Sequence, residues 1–320
     1  MSPGSLDLDV LKIRADLFRA ARAFFDARGI MEVDCPALCG GVIVDANIDP
    51  ISVLHQKNPY FLHTSPEAGM KKLLSSGVGD IYQISHVFRE GEISAIHHPE
   101  FTMVEWYRKY LSFETFIEET LDFMRLFLGD LTSHTLSYRD AFILFSGQDP
   151  FQASITDLLH AAKSHELRPP EKIKEDRNAL LDFILAFLIE PCLGTNALTV
   201  IRDYPPDQAA LAQLIEKEER VVAERFEIYF KGIELCNGYH ELGDLSELKN
   251  RFESENKIRK EIGKEVLPMD EEFLQNKIPE CCGVAVGFDR LMMLKTQKNQ
   301  ISEVMPTSPI FERSGSSCPC

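Results

Sequence analysis

The N-terminal part of the chain carries an amphipathic pattern that predicts a helix over about residues 9–28. Apolar residues, beginning with Val10 and Ile13, recur there at three- and four-residue spacing, which places them on one helix face. Gly29 ends this helix, and the apolar residues after it predict a short strand closed by Pro36. A helix followed at once by a short strand is a compact unit that could pack against a second copy of itself.

Two β-prone runs around a polar loop rich in histidine and glutamate occupy residues 81–108. Side chains alternate between the two faces of a strand, so the second run places Phe101, Glu105 and Tyr107 on one face. The first run ends near Arg89. A hairpin that gathers an arginine, a flat aromatic, a carboxylate and a phenol is poorly suited to a core. It suits a bound nucleotide phosphate, a flat base and a cationic substrate group.

Helical patterns dominate the middle of the chain. One helix is predicted at 112–129, and further patterns joined by proline-containing linkers fill about 132–223, among them those at 179–193 and 206–226. We interpret 132–223 as a mostly helical insertion without a cluster of catalytic residues.

Strand patterns resume at 226–242, a charged helix is predicted at 245–262, and a last strand and helix occupy 282–294. Strand hairpins that interrupt helices, without a repeating strand–helix–strand rhythm, are typical of an α+β fold with an antiparallel β-sheet flanked by helices. We expect one domain over residues 1–310 and a flexible tail at 311–320.

Composition narrows the classes of function. A chain of 320 residues with 44% hydrophobic and 26% charged residues is typical of a globular protein. The net charge of −16 argues against broad non-specific binding to nucleic acid, because such binding needs lysine and arginine to neutralise phosphates. We interpret the basic pair Lys71 and Lys72 as a solvated helix face.

Neither a membrane span nor a secretory signal is predicted. No apolar run approaches the roughly 20 residues that a spanning helix needs, and the N-terminus lacks a basic segment followed by an apolar one. The eight cysteines are not spaced as zinc ligands, and free thiols are typical of a reducing compartment. We therefore expect a cytoplasmic protein.

Glu227 and Glu234 lie on either side of a tight turn between two predicted strands. Paired carboxylates at the end of a hairpin can share a divalent cation, and Mg²⁺ bound by one or two carboxylates plus phosphate is common in ATP sites. The alternative is a pair of surface glutamates, which the spacing alone favours.

One face of the last strand carries no side chain larger than a methyl group, because it is formed by Gly283, Ala285 and Gly287. A ligand can lie directly against the backbone of such a strand. The helix that follows begins with Asp289 and Arg290, and an arginine there can reach a phosphate near free amides. The alternative is a packing glycine beside a surface Arg–Asp pair.

Weaker candidates are Glu67 with Asn237 and Glu241, and the loop histidines His97 and His98. Glu67 alone is as readily structural as functional, and histidines such as His97 and His98 are more often ordinary loop residues than ligands or catalysts. Glu67 falls at a predicted helix start, where a carboxylate is favoured in any case.

The order of these segments resembles the three signature motifs of class II aminoacyl-tRNA synthetases. The matching stretches are IMEVDCP, VFRE with HHPEFTMVEWYR, GIELCNGYHEL and GVAVGFDRL, and the resemblance covers about residues 9–294. It is strongest to the catalytic domain of lysyl-tRNA synthetases, but the chain begins without their N-terminal OB-fold anticodon domain. Stand-alone paralogues that ligate (R)-β-lysine to elongation factor P share this feature, and Ala285 stands where that branch has alanine.

The resemblance implies a set of roles. Arg89 would hold the α-phosphate, Phe101 would stack on adenine, and Arg290 would cover the other face of the base near the γ-phosphate. Glu67, Tyr107 and Glu241 would surround the side-chain ammonium of lysine. The implied catalytic residues are Arg89 and Arg290; the ATP-binding residues are Arg89, Glu90, Gly91, His97, His98, Phe101, Glu234, Leu235, Gly287 and Arg290; the substrate-binding residues are Ser65, Pro66, Glu67, Glu105, Tyr107, Asn237, Glu241 and Ala285; and the Mg²⁺ ligands are Glu227 and Glu234.

The chain departs from the family pattern in the loop expected at ATP. Gly91 stands where the family has an adenine-contacting glutamate, and we expect Glu90 or Glu92 to take its place. His98 stands where the family has asparagine. These differences concern the ATP loop and leave the arginine and the phenylalanine of the motif unchanged.

The resemblance implies a cytoplasmic homodimer, joined through residues 11–36, that activates lysine or β-lysine with ATP and Mg²⁺ and joins it to a lysine of elongation factor P. A minimal enzyme that charges tRNA and a catalytically inactive regulatory paralogue are the alternatives. The missing domain and the acidic charge disfavour the first, and the retained arginines and glutamates disfavour the second. The choice between α-lysine and β-lysine stays open.

Overall fold

The predicted N-terminal helix is present as α1, Leu8–Asp26. The carboxylate of Asp7 accepts hydrogen bonds from the amides of Asp9 and Val10 and so pairs amides that the first turn of a helix leaves free. The short strand β1, Met31–Glu32, follows. The computed structural model describes residues 7–306, so the tail predicted at 311–320 lies outside the described residues.

The described residues form further helices and strands on both sides of these two elements. The helices are α2 (Glu67–Ser75), α3 (Phe113–Leu128), α4 (Tyr138–Ser146), α5 (Ile155–Ser164), α6 (Arg177–Ile184), α7 (Leu245–Glu261) and α8 (Phe288–Thr296). The strands are β2 (Leu38–Cys39), β3 (Ser52–His55), β4 (Asn58–Leu62), β5 (Ile81–Phe88), β6 (Glu100–Lys109), β7 (Ser133–Ser137), β8 (Leu198–Tyr204), β9 (Leu214–Lys217), β10 (Arg220–Phe230), β11 (Ile233–His240) and β12 (Cys281–Gly287).

One large sheet organises the fold. Its strands follow the order β1-β5-β6-β12-β11-β10-β8-β7, and β9 pairs with β10. All neighbours from β5 to β8 are antiparallel, whereas β1 and β7 pair in parallel with their single neighbours. The predicted α+β fold with an antiparallel sheet is confirmed, with two parallel strands added at its edges. A second sheet has the order β2-β4-β3.

The main apolar core lies between one face of the large sheet and helices α1, α3 and α8. Trp106 on β6 is fully buried there and lies 5.3 Å from the ring of Phe25 on α1, measured between centroids. Phe123 on α3 packs against the same indole at 5.1 Å. Burial of these large rings supplies much of the hydrophobic stabilisation of the sheet. It also leaves the opposite face of β6 free for polar side chains.

The interpretation of 132–223 as a mostly helical insertion is correct only for its middle part. Helices α4, α5 and α6 and a π-helix at Leu185–Ile189 pack around their own apolar core. The ends of the segment contribute β7, β8 and β9 to the large sheet. The segment is therefore continuous with the sheet that carries the predicted site residues.

The prediction of a helix at 206–226 is wrong. After a short turn at Pro206–Gln208, the chain forms β9 and the first half of β10. Between them Glu218 and Glu219 both adopt left-handed backbone angles, with φ of 50° and 61°, which matches the twist of a tight hairpin. The glutamate- and alanine-rich composition favours a helix locally, but pairing of β10 with β8 and β11 overrides that preference.

No helix within residues 7–306 is long and apolar enough to cross a membrane.

Candidate active site

The face of the sheet opposite α1, α3 and α8 forms the floor of a cavity of about 760 Å³. Residues that lie opposite each other on neighbouring strands project to the same face, so the floor is built in rows. In one row Glu105 on β6 lies opposite Ala285 on β12, Ala285 opposite Asn237 on β11, and Asn237 opposite Glu227 on β10. The alternation predicted for β6 is thereby confirmed.

The next row contains Tyr107, Gly283 and Tyr239. A Cβ atom at position 283 would overlap both the ring of Tyr107 and the Oε1 atom of Glu241. Only glycine allows the carboxylate of Glu241 and the phenol ring to lie against the strand backbone at this point. At Gly283 the strand face without large side chains is therefore covered by Tyr107 and Glu241, two of the predicted substrate-binding residues.

Carboxylates converge at one end of the cavity. Glu67 on α2 and Glu241, just after β11, both contact the ammonium of Lys71, with the Nζ–Oε1 and Nζ–Oε2 distances each 2.5 Å. Lys71 is only 1% exposed. Burial opposes its charge, but the carboxylates of Glu241 and Glu67 outweigh this and raise the pKa of the Lys71 ammonium. The interpretation of Lys71 as part of a solvated helix face is therefore wrong.

Two buried acceptor atoms on the floor have neither a hydrogen-bond donor nor an ion-pair partner among the described residues. They are Oε2 of Glu105 and Oδ1 of Asn237, which flank Ala285 in the first row of the floor. The other oxygen of Glu105 accepts a hydrogen bond of 2.6 Å from the hydroxyl of Tyr107. A buried acceptor without a donor is costly, so this place on the floor favours a ligand that brings N–H groups.

Two of the carboxylates at this end, those of Glu105 and Glu241, have raised pKa values. Burial, together with the charge of Glu67, raises the pKa of Glu105 to about 8. Burial also raises the pKa of Glu241 to about 7, although Lys71 works in the opposite direction. The three carboxylates therefore carry more negative potential than one resident ammonium neutralises, and a cationic ligand would stabilise their ionised forms.

Cationic side chains converge at the other end of the cavity. The guanidinium of Arg89 lies 5.1 Å from the ring centroid of Phe101 and 3.7 Å from Glu92. Arg290, in the first turn of α8, donates a hydrogen bond of 2.8 Å to the backbone carbonyl of Glu234 and lies 2.7 Å from Nε2 of His97. Two guanidiniums and an aromatic ring that line one cavity suit a nucleotide with a polyphosphate.

His97 holds Arg290 as a neutral acceptor. Burial, helped by the charge of Arg290, lowers the pKa of His97 to about 4. Its Nε2 atom therefore accepts from the guanidinium, which assigns the ring proton to Nδ1, 2.8 Å from the hydroxyl oxygen of Ser94. The loop between β5 and β6 is in this way tied to the helix that carries Arg290.

A buried ion pair fixes the start of α8. Asp289 accepts from Arg14 on α1 at 2.5 Å and from the backbone amide of Thr102 on β6 at 2.6 Å. The alternative of a surface Arg–Asp pair at Asp289 and Arg290 is wrong, because Asp289 is fully buried. Its carboxylate positions the neighbouring Arg290 toward the cavity and ties three elements together.

The predicted metal ligands lie on the cavity wall between the two ends. Oε1 of Glu227 accepts from Arg225 at 2.6 Å, and Oε2 accepts from the hydroxyls of Tyr204 and Tyr229. Glu234 is less constrained, with one oxygen 3.4 Å from Arg290. Partial burial and the charge of Glu227 raise the pKa of Glu234, so a cation at this wall would stabilise the ionised form of its carboxylate.

These carboxylates fit a metal ion that shares its ligands with phosphate. Within residues 7–306 no three or more His, Cys, Asp and Glu side chains are arranged to hold a metal by themselves. Glu234 and the remaining lone pair of Glu227 Oε1 offer the hard oxygen donors that Mg²⁺ prefers. Glu190, whose pKa burial and Glu234 raise to about 7, adds a third carboxylate nearby.

The structure brings most of the predicted site residues to the cavity. Those that line it are Ser65, Glu67, Arg89, His97, His98, Phe101, Glu105, Tyr107, Glu227, Glu234, Leu235, Asn237, Glu241, Ala285, Gly287 and Arg290. Pro66, Glu90 and Gly91 are not among its lining residues; Pro66 precedes α2, and Glu90 is exposed. Of the two glutamates expected to replace the missing one, Glu92 faces the cavity.

Sequence reasoning missed several residues of the site. Lys71 follows Glu67 by four residues on α2, so helical spacing already places both on one face. Glu190 and Tyr204 belong to the segment that was expected to hold no functional cluster, yet both are tied to the acidic wall. No local signal identifies these two, because Tyr204 reaches Glu227 only through the pairing of β8 with β10, and Glu190 reaches Tyr229 only through the tertiary fold.

Comparison with known proteins gives a family match that spans most of the chain. The model of the family described as tRNA synthetases class II (D, K and N) matches residues 7–308.

Three curated relatives carry the name elongation factor P–(R)-β-lysine ligase. The protein from Pasteurella multocida is 38% identical over 310 residues, which cover 94% of this chain and 95% of the relative. The one from Photorhabdus laumondii is 39% identical over 315 residues and 96% of both chains. The one from Edwardsiella ictaluri is 38% identical over 304 residues, 92% of this chain and 93% of the relative.

Proposed function

Because this chain belongs to the family of class II tRNA synthetases (D, K and N), and its relatives are elongation factor P–(R)-β-lysine ligases, we propose that it is such a ligase. In the proposed reaction ATP activates lysine or (R)-β-lysine as an aminoacyl adenylate, and the acyl group is transferred to a lysine of elongation factor P. We propose that the reaction takes place in the cytoplasm, since the acceptor is a translation factor.

The observation that carries the proposal is the division of one cavity into two ends. Glu67, Glu105 and Glu241 gather at one end, and Arg89 and Arg290 gather at the other. A diamino acid presents ammonium groups to the first end, while its carboxylate points along the floor toward the second. ATP presents its phosphates to the guanidiniums and its base to Phe101.

The chain's own residues hold the reactants and stabilise charge in both steps. In the first, a carboxylate oxygen of the amino acid bonds to the α-phosphorus, and the bond to the β-phosphate oxygen breaks to release pyrophosphate. Arg89 and Arg290 face the charge that develops on the phosphates, and no protein nucleophile is needed. In the second, the acceptor amine bonds to the acyl carbon and AMP leaves.

Glu227 and Glu234 would hold Mg²⁺ together with the triphosphate, and the ion would supply neutralisation of phosphate charge. The hydroxyls of Tyr204 and Tyr229 and the guanidinium of Arg225 fix the carboxylate of Glu227 in place for this role.

Pyrophosphate exchange separates this proposal from an inactive paralogue. We expect exchange of labelled pyrophosphate into ATP that depends on lysine or β-lysine. Transfer of the labelled amino acid to elongation factor P, compared with transfer to a tRNA pool in the same assay, separates a protein ligase from a minimal tRNA-charging enzyme. Absence of amino-acid-dependent exchange with both amino acids would contradict the proposal.

Replacing Ala285 with glycine is expected to change the preference between α-lysine and β-lysine. The methyl group of Ala285 lies between Glu105 and Asn237 on the floor, where one placement of the substrate amino group would meet it. Removal of one methyl in a shaped pocket changes discrimination by about 10- to 200-fold. The preference is measured as the ratio of kcat/KM for the two amino acids in the exchange assay. An unchanged ratio in Ala285→Gly would show that Ala285 does not select the substrate.

We also propose that the protein is a two-fold dimer joined through α1 and β1. Met31 on β1 is 51% exposed and Leu38 on β2 is 48% exposed, and β1 leaves one edge of the large sheet unpaired among the described residues. Exposed apolar side chains beside a free strand edge are typical of an interface. Sedimentation velocity is expected to give a dimer, and Met31→Lys is expected to shift it toward monomer; a wild-type monomer would contradict the proposal.

A further inference from the structure

Lys71 occupies a position that the proposed chemistry does not explain. Its ammonium is buried within the amino-acid end of the cavity, 2.5 Å from Glu67 and 2.5 Å from Glu241. These two carboxylates are the ones expected to receive the side-chain ammonium of the substrate. The protein therefore already provides one cation where the substrate is to supply another.

Lys71 bridges separate elements rather than supporting its own helix. Glu67 is one turn away on α2, whereas Glu241 follows β11 and is brought in by the sheet. Each carboxylate contributes one oxygen to the ammonium. The other oxygen of Glu241, Oε1, lies against Gly283 and the ring of Tyr107 on the cavity floor. The ammonium thus fixes the direction in which that free oxygen points.

The charges at this end of the cavity match a diamino acid once Lys71 is included. Glu67 and Glu241 pair with the resident ammonium, and Glu105 lies at the same end of the cavity, so this set has two more carboxylates than cations. Lysine and β-lysine each carry two ammonium groups. An amino acid with one ammonium would leave a buried carboxylate without a partner, which is strongly unfavourable.

We propose that Lys71 is a positioning residue that selects the substrate, an inference that rests on the proposed function. Its ammonium ties one oxygen of Glu67 to one oxygen of Glu241, so that both carboxylates present their other oxygens to the substrate. It also sets the remaining charge of the site to that of two ammonium groups. Without it, nothing fixes the two carboxylates relative to each other, and their other oxygens no longer converge on the ammonium of the substrate, so that the amino acid binds less tightly.

The test compares Lys71→Met with Lys72→Met. Lys72 is the next residue on α2 and pairs with Asp270 and Glu272 near the surface, so its variant controls for loss of a lysine from this helix. We expect the Kd of lysine and β-lysine, measured by calorimetry, to rise by about 30-fold or more in Lys71→Met, because one partner of a buried ion-pair network is lost. The Kd of ATP is expected to change less than about threefold, since Lys71 forms its ion pairs with Glu67 and Glu241 and with no residue expected to bind ATP.

Lys71→Gln is the variant to measure if Lys71→Met does not fold. The glutamine amide carries no charge, but its two N–H groups can donate hydrogen bonds to both carboxylates. The inference is overturned if the folded variant binds the amino acid as tightly as the wild type does. It is also overturned if the Kd values of amino acid and ATP rise together, or if Lys72→Met has the same effect. A wild type that binds the amino acid but transfers nothing to elongation factor P would defeat the proposed function and leave this inference standing.

Discussion

Replacing Arg290 with alanine is expected to lower kcat for pyrophosphate exchange by about 100- to 1,000-fold, the usual effect of removing a preorganised group that stabilises transition-state charge. Arg290 is held by the carbonyl of Glu234 and by neutral His97, while its helix is anchored by the buried pair of Asp289 and Arg14. Because the guanidinium is fixed before ATP binds, its charge needs no reorganisation during the reaction. The exchange assay at saturating ATP and amino acid measures the loss.

Lys295→Ala is the matched control for this prediction. Lys295 lies in the last turn of the same helix and is exposed, so its loss removes a positive charge from α8 without touching the cavity. We expect wild-type kcat for Lys295→Ala. A value of kcat for Arg290→Ala within about threefold of the wild type would show that Arg290 does not stabilise the transition state.

The second large effect is expected for Glu241→Gln, which should lower kcat/KM for the amino acid by about 100-fold or more. The variant removes one charge from a buried set of three carboxylates and leaves Lys71 with a single carboxylate partner. It also turns an acceptor at the floor into a group that can donate, which opposes an incoming ammonium. The loss is expected mainly in KM for the amino acid, and initial rates at varied amino-acid concentration measure it.

Glu119→Gln provides the comparison for Glu241→Gln. Glu119 on α3 is also largely buried, with 9% of its side chain exposed, but it faces the helical side of the sheet and accepts from the indole of Trp106. Its replacement is expected to lower the melting temperature and to leave KM for the amino acid unchanged. If Glu241→Gln behaves in the same way as Glu119→Gln, the carboxylate of Glu241 is structural and does not bind the substrate.

The floor of the cavity could be predicted from the sequence because it depends on short-range geometry. Alternation along β6 separates Glu105 and Tyr107 from Trp106, and alternation along β12 separates Ala285 from the buried valines. These patterns need no knowledge of the partner strands. The order of the strands in the sheet, by contrast, follows from the family resemblance and from pairing that no local pattern contains.

The errors have a common physical cause, which is that tertiary pairing overrides local preference. The segment 206–226 has helix-favouring composition but is recruited into β9 and β10 by its neighbours in the sheet. Lys71 belongs to a basic pair that is typical of a solvated face, yet carboxylates from two elements bury it. Asp289 looks like a surface residue until Arg14, 275 positions away in the sequence, is brought beside it.

The central claim is that the protein transfers an activated diamino acid to a protein acceptor. Intact-mass and peptide mass spectrometry of elongation factor P, incubated with the enzyme, ATP and β-lysine or lysine, tests it most directly. We predict the added mass of one acyl group on a single lysine, dependent on ATP and abolished by Arg290→Ala. An unmodified factor in a reaction where the same enzyme preparation charges tRNA, or forms no adenylate, would contradict the claim.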